Sequence, residues 1–257
     1  MVGMRVTVIG IGGVGSHLAE WIARYLAFRL PGSTLTLVDG DEFEERNRAR
    51  QTFHKPGNKA EVVAERLAGL FPEIRVEAVP AFLQPDTLDI ILLEGEIVLV
   101  CVDNHATRKL LSDEAGKRQD ITVISGGNED AWGTVQVYLR RDGQDVSPSL
   151  SQDHPEIASP QGRAPYELHC DERAVAGEPQ VLFANVMAAA VMANAFWRFA
   201  EDPDRFVSEV RAGVEGAYTE VAFDIRLNAA RARHWPVTAQ TNPDAAVASD
   251  NQRRKVA

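Results

Sequence analysis

The chain has only two cysteines among its 257 residues, Cys101 and Cys170, and they form no C-x-x-C pair. A disulfide framework and a cysteine-built zinc site are therefore not expected. Basic residues are also short: 27 Lys and Arg against 37 Asp and Glu leave a formal net charge of −10. That balance works against a nucleic acid as main partner, because such binding rests on neutralising phosphates with a basic surface. The uncharged run VLFANVMAAAVMANAF, Val181 to Phe196, is shorter than the roughly 20 residues a membrane span needs. It is rich in Ala and carries Asn185 and Asn194, so a helix buried in the core or at a subunit contact is expected, and no membrane. The opening MVGMRVTVIG runs straight into a strand without the pattern of a signal peptide, which makes the cytoplasm the expected compartment. There is no internal repeat or low-complexity block.

What is present is a globular composition, 45% hydrophobic and 25% charged, enough to bury a substantial core. Val6 to Ile9 form a first strand, and Val14 to about Leu30 a helix with Leu18, Trp21, Ile22, Tyr25 and Leu26 at helical spacing. TLTLV (Thr34 to Val38) is a second strand, Lys59 to Phe71 a second helix and IRVEAV a third strand. This β-α-β-α-β order is the parallel half of a Rossmann-like doubly wound α/β sheet with helices on both faces. IVLVCV, Ile97 to Val102, is apolar throughout, as a strand covered on both faces should be. A helix from about Ala106 to Arg118 and the strand TVIS follow; then GTVQVYLR alternates apolar and polar residues, the sign of antiparallel strands continuing the sheet. A single domain over residues 1–236 is expected, with a nucleotide-binding half at about 1–127. A crossover loop without clear periodicity covers about 142–179, helices and a last strand AYTEVAFDI lie in 180–236, and the polar tail 237–257 is expected to be disordered.

The stretch VTVIGIGGVGSHL turns from strand to glycines to helix. Gly10, Gly12 and Gly15 fit the nucleotide-binding fingerprint, and Gly13 adds a fourth glycine where backbone must approach a phosphate closely. Main-chain N–H groups and the helix dipole favour an anion there, with Ser16 placed to donate from the helix start. Asp39 ends the second strand, where an acidic residue accepts hydrogen bonds from a ribose. LVDGDEFEERNRARQTFH then places Asp41, Asn47, Arg50 and Gln51 just beyond. Arg50 is within reach of phosphates, and Lys59, after a Pro-Gly turn, offers either a second cation or a surface lysine. Asp103 and Asn104 follow IVLVCV at the carboxyl end of a strand, where a carboxylate beside a triphosphate is a candidate Mg²⁺ ligand. On these residues alone an NAD-dependent oxidoreductase remains open.

The set GIGGVGS, VDGDEFEERNRARQ, GNKAE and CVDNHATR resembles, over about Val6 to Arg108, the ThiF/MoeB/HesA branch of the ubiquitin-activating enzyme superfamily. Its pattern is a glycine loop, D-x-D, N-x-x-R-Q, a lysine on the next helix and D-N after the fourth strand. The resemblance implies ATP-dependent adenylation of a carboxylate, typically the C-terminus of a ubiquitin-like or sulfur-carrier protein, with MgATP consumed and pyrophosphate released. It implies that Gly10, Gly12, Gly13 and Gly15 cradle the phosphates, that Asp39 holds the ribose, that Asn47, Arg50 and Lys59 stabilise phosphate charge, and that Asp103 binds Mg²⁺; Ser16, Asp41, Gln51 and Asn104 complete the nucleotide site. It also implies a homodimer and, for Cys170 in the polar segment before the apolar helix, a covalent link to the activated partner. The chain departs from relatives in starting too late for the helix that lends an arginine to a partner subunit, and in lacking the paired C-x-x-C motifs, so zinc is not expected. The segment YLAFRLPGS resembles the ThiF-like proteins of bacterial PRTRC gene clusters. Adenylation of a small-molecule, peptide or tRNA-bound carboxylate, and a nucleotide-binding scaffold without catalysis, are the competing readings.

Overall fold

A computed structural model describes residues 3–45, 48, 51, 53–167 and 181–234. In it, β1 (Arg5–Ile9) leads through the glycines into α1 (Gly15–Arg29), followed by β2 (Thr34–Val38), α2 (Lys59–Leu70) and β3 (Arg75–Val79). A short helix α3 (Leu88–Ile91) precedes β4 (Ile97–Val100) and α4 (His105–Ala115). Then β5 (Ile121–Glu129), β6 (Trp132–Arg141) and β7 (Gln144–Asp145) run in succession. A one-turn helix α5 (Pro155–Ala158), the long α6 (Leu182–Glu201), α7 (Pro203–Ala212), β8 (Glu220–Asp224) and β9 (Ala229–Arg233) complete the order.

The strands form a nine-stranded sheet in the order β3-β2-β1-β4-β5-β6-β8-β9, with β7 paired to β6. β3 through β5 are mutually parallel and β5 onward is antiparallel. The expected half-parallel, half-antiparallel α/β architecture is therefore the observed one.

Two cores sandwich the sheet, and β4 shows why its sequence has to be apolar throughout. Ile97 and Leu99 enter the core beneath α1, α2 and α6, whereas Val98 and Val100 enter the one beneath α3 and α4. Successive side chains point to opposite faces, so a strand covered on both sides has no position left for a polar residue. α1 buries Leu18, Ile22 and Leu26 on that first face at helical spacing.

α6 is apolar and long enough, by composition, to cross a membrane. It instead lays Ala188, Ala189, Met192, Ala195 and Phe196 against β5, β6 and α1 as a core helix. The small residues allow the close approach: a Cβ on Gly126 of β5 would lie 2.3 Å from the Met192 sulfur.

Three details differ from the sequence reading. β5 does not stop at Ser125 but continues through Gly126 and Gly127 to Glu129, paired residue by residue with β6; a turn with Asp130 at φ 47° closes that hairpin. The segment after β6 holds β7, α5 and a 3₁₀ turn, anchored by buried Val146, Leu150 and Ile157. β9 was not anticipated, because every residue of AARAR is exposed and no apolar alternation marks it. The expected tail 237–257 lies outside the described residues.

Candidate functional site

β1 lies between β2 and β4. The chain leaves β1 outward to β2 and β3 and returns to β4 on the other side, so the carboxyl ends of β1 and β4 flank a switch in strand order. In open α/β sheets ligands bind at that crevice. The glycine loop follows β1, Asp39 follows β2 and Asp103 follows β4, so three sequence-selected elements meet there by topology alone.

The loop is built on glycine for steric reasons that can be read atom by atom. Gly10 has φ 89°, and its N–H donates to Val38 O at 2.9 Å, closing the turn against β2. A Cβ on Gly15 would fall 1.8 Å from Gly10 O, so the first residue of α1 sits directly on the turn that precedes it. Around Gly12 there is more room, the nearest atom to its would-be Cβ being Gln51 Nε2 at 3.8 Å. Gly13 packs on α6, where a Cβ would meet Asn185 Nδ2 at 2.2 Å. Ser16 is buried and its hydroxyl has no hydrogen-bond partner.

Asp39 lies at the foot of this loop. Its Oδ2 accepts from Ile11 N–H at 2.6 Å and its Oδ1 from Asp41 N–H at 2.8 Å. Each carboxylate oxygen keeps a further lone pair, which suits a ribose hydroxyl. Burial pushes the Asp39 carboxyl up to about 6, against the pull of the Lys59 ammonium and the two backbone donors. The folded chain thus holds this proton more tightly than the unfolded chain does. Stability contributed by protonated Asp39 is full at low pH and is lost as pH rises from ~4 to ~6, at no more than about 1.4 kcal/mol per pH unit. Denaturant unfolding of wild type and Asp39→Asn between pH 4 and 7.5 checks this: the variant's stability curve should lack that descending component.

Asn58 caps α2, with its Oδ1 accepting from Glu61 N–H at 3.1 Å, and its Nδ2 donates to Asp39 O at 2.9 Å and Asp41 O at 3.1 Å. The cap therefore clamps the segment that carries both aspartates. Lys59, the first residue of α2, is buried and is not a free surface lysine: its Nζ donates to Asp41 Oδ2 at 3.2 Å. The pairing holds the ammonium close enough to Asp39 to act on its carboxyl, with two more N–H directions to spend on an anion. Phe43 and Phe53 stack with ring centroids 4.5 Å apart, and Phe43 N–H donates to Gly57 O at 2.9 Å, closing the base of the intervening segment. Of that segment Asn47 and Arg50 lie outside the described residues. Gln51 is buried with Oε1 unpartnered.

After β4, Asp103 is exposed, and its carboxylate carries no ion pair among the described residues. Asn104 accepts from Thr107 N–H at 2.8 Å through its Oδ1 as the cap of α4, which leaves its Nδ2 and one Oδ1 lone pair for a ligand. With His105, Glu156 and Arg163 it lines a cavity of about 230 Å³ at the start of α4. Arg108, one turn further, was not singled out in the sequence reading. Its guanidinium is buried, donates to Val102 O at 2.9 Å and Gly126 O at 3.4 Å, and so ties the end of β4 to β5 and fixes the bend that presents Asp103.

No group of three or more His, Cys, Asp or Glu side chains converges among the described residues. A Mg²⁺ ion does not need one, because it binds through one or two carboxylates together with water and substrate phosphates; Asp103 suits that role. Cys101 is buried under the glycine loop and its thiol is pushed up to about 12 by burial, which makes it inert. Cys170 lies outside the described residues.

Asn185 is the residue at this site that reading for motifs passed over as a mere polar interruption in an apolar run. It is 0% exposed, and neither its Nδ2 nor its Oδ1 has a partner. Leaving such groups buried and unbonded costs about 1–3 kcal/mol each, so packing alone does not account for it. Only the fold, which brings the first turn of α6 onto Gly13, reveals its position.

The chain is similar to known proteins in sequence and in fold. The chain is 30% identical over 152 residues to a molybdopterin-synthase adenylyltransferase of Escherichia coli K12, covering 58% of this chain and 59% of that protein. It is 40% identical over 115 residues to the adenylyltransferase and sulfurtransferase uba4 of Aspergillus clavatus, covering 43% of this chain and 22% of that one. The chain thus spans only about three fifths and about a fifth of these relatives. Among solved structures, E. coli MccB with ATP superimposes with a TM-score of 0.62 at 18% identity, covering 91% of this chain and 65% of the other. The microcin C7 biosynthetic enzyme MccB in complex with N-formylated MccA gives 0.62 at 19% identity, covering 90% and 64%. The ThiF family model matches residues 2–204, from the strand that feeds the glycine loop to the end of the helix that packs on it, and the chain belongs to the ThiF family.

Proposed function

We propose that the chain is an adenylyltransferase that uses MgATP to activate the C-terminal carboxylate of a ubiquitin-like or sulfur-carrier protein. The observation that carries this reading is the joining of Asp39, the glycine loop and the Lys59–Asp41 pair in one hydrogen-bonded unit at the switch point. In the reaction, a carboxylate oxygen of the partner attacks the α-phosphorus of ATP, the bond from that phosphorus to the bridging oxygen breaks, and pyrophosphate leaves with the bond electrons. A carboxylate is already nucleophilic, so catalysis can rest on positioning and on cations aimed at the developing phosphate charge. Asp39 would hold the ribose, Gly12, Gly13 and Gly15 would bring backbone N–H groups to the phosphates while Gly10, whose own N–H is bonded to Val38 O, would shape the turn that carries them, and Ser16, Gln51 and Asn104 would add side-chain contacts. Lys59, with Asn47 and Arg50 from the adjoining segment, would meet the phosphate charge, and Asp103 would hold Mg²⁺.

Two further parts belong to this reading. The chain would work as a homodimer, for which the exposed Trp21 and Phe28 of α1 and Trp197 of α6 offer apolar surface. Cys170 would receive the activated carboxylate, its thiolate attacking the acyl carbon and displacing AMP to leave a thioester.

The test is ATP–pyrophosphate exchange with candidate carrier proteins. Exchange that depends on the carrier's free C-terminus supports the reading; NADH binding in place of ATP overturns it. Cys170→Ala should retain exchange while losing a thiol-sensitive conjugate on denaturing gels, and a conjugate that survives in the variant would exclude Cys170.

A further inference from the structure

We propose that Asn185 is a substrate-binding residue that selects a peptide-type C-terminus, reading the N–H of its last residue together with its carboxylate. This rests on the adenylation reading above and specifies what the activated acid must look like.

The placement comes from three contacts. Asn185 lies in the first turn of α6 and its amide packs on Gly13 of the glycine loop, where a Cβ would be 2.2 Å from Nδ2. The start of α6 is tied to the β5–β6 turn through Val181 N–H and Asp130 O at 3.5 Å. At that end of β5, Asn128 falls on the same face as Gly126, the face that meets α6, because side chains two apart in a strand share a face. Both polar atoms of the Asn128 amide are likewise buried and unpartnered. Glycine loop, β5 end and α6 therefore enclose polar groups with unspent hydrogen bonds.

The chemistry of the group narrows the ligand. The residues around Asn185 in α6 that share its burial are Ala184, Ala188 and Ala189, so an apolar residue would be the natural occupant if packing alone mattered. An amide differs from a serine or a lysine in presenting one acceptor and one two-proton donor side by side. A phosphate or a simple carboxylic acid offers only acceptors and would leave Oδ1 unpaired. The terminal residue of a peptide offers both complements, an N–H and a carboxylate. Oδ1 accepts from that N–H and Nδ2 donates to the carboxylate, which holds the attacking oxygen over Gly13 where the α-phosphate would lie. A site built to pair with an N–H rejects the analogue that lacks it, because its own acceptor is then stranded.

The experiment uses two synthetic probes in ATP–pyrophosphate exchange: a peptide ending in Gly-Gly with a free carboxylate, and the depsipeptide in which the last amide N–H is replaced by an ester oxygen. The wild-type chain should prefer the amide by about tenfold or more in kcat/KM. In Asn185→Ala that preference should collapse toward one, the KM for the peptide should rise and the KM for ATP should stay put. Asn185→Ser serves as a second variant with the same expectation should the alanine form fail to fold. Amide-over-ester preference that persists in either variant overturns the assignment, as does a parallel rise in both KM values, which would mark Asn185 as a support for the glycine loop. Equal use of the two probes by the wild type also overturns it while leaving adenylation intact. Absence of exchange by the wild type with both probes overturns the adenylation reading and this one with it.

Discussion

Gly15→Ala is expected to unfold at a much lower denaturant concentration than the wild type, and Gly12→Ala to be tolerated. The two positions lie in one loop and look equivalent in the sequence GIGGVGS. Their surroundings differ: a methyl at Gly15 would be 1.8 Å from Gly10 O, whereas at Gly12 the nearest atom is a side-chain nitrogen 3.8 Å away. The clash at Gly15 cannot be relieved by a rotamer, because the atom it meets is backbone. That carbonyl belongs to a residue at φ 89° whose N–H is bonded to β2, so shifting it would break the turn between β1 and α1. Overpacking a well-packed core with one methyl commonly costs about 1–3 kcal/mol, and a fixed backbone partner puts Gly15 at or beyond the upper end. With global stabilities near 5–15 kcal/mol, that is a large share. Denaturant unfolding of the two variants checks it: a midpoint for Gly15→Ala equal to that of Gly12→Ala would show that the loop yields.

The sequence is informative where burial is two-sided and silent where it is not. β4 announced itself because both faces are covered and no polar residue interrupts IVLV. α1 announced itself through Leu18, Ile22 and Leu26 at helical spacing. β9 is an edge strand with five exposed residues, and an edge imposes no apolar alternation to read. The continuation of β5 through Gly126 and Gly127 was hidden for the opposite reason: those positions need glycine because Met192 and Arg108 press on them from the two faces, and paired glycines in sequence look like a turn.

The site divides in the same way. Asp39, Lys59 and Asp103 were legible because each lies just past a strand or at a helix start, where topology delivers residues to one crevice. How they are held was not legible. The Asn58 clamp, the pairing of Lys59 with Asp41 and the use of Asn104 as a helix cap depend on where backbone carbonyls and N–H groups end up after folding. Asn185 depends on a contact between Gly13 and a helix far along the chain, and no local spacing encodes it.

Asp103→Ala is expected to abolish exchange, with Lys59→Ala falling short of that. Both residues face the phosphates in the proposed mechanism, but they are held differently. Lys59 is buried and paired with Asp41 at 3.2 Å, so its ammonium would stabilise phosphate charge from a fixed post; removal of one such preorganised group typically costs ~10²–10³ in kcat. Its loss also frees Asp41, whose carboxylate then repels the phosphates. Asp103 is exposed and without an ion pair among the described residues, as suits a carboxylate whose partner arrives with the nucleotide. Mg²⁺ keeps most of its waters and depends on one or two carboxylates, so in the proposed mechanism deleting this one would remove the chain's hold on the metal and with it the charge neutralisation that would let a carboxylate approach a triphosphate. Exchange measured across a Mg²⁺ titration separates the two. Asp103→Asn, which keeps the shape and loses the charge, should need a much higher Mg²⁺ concentration for half-maximal rate, while Lys59→Ala should keep the wild-type midpoint at a lower plateau. Normal exchange by Asp103→Ala, or a Mg²⁺ midpoint in Asp103→Asn equal to that of the wild type, would remove the metal from Asp103.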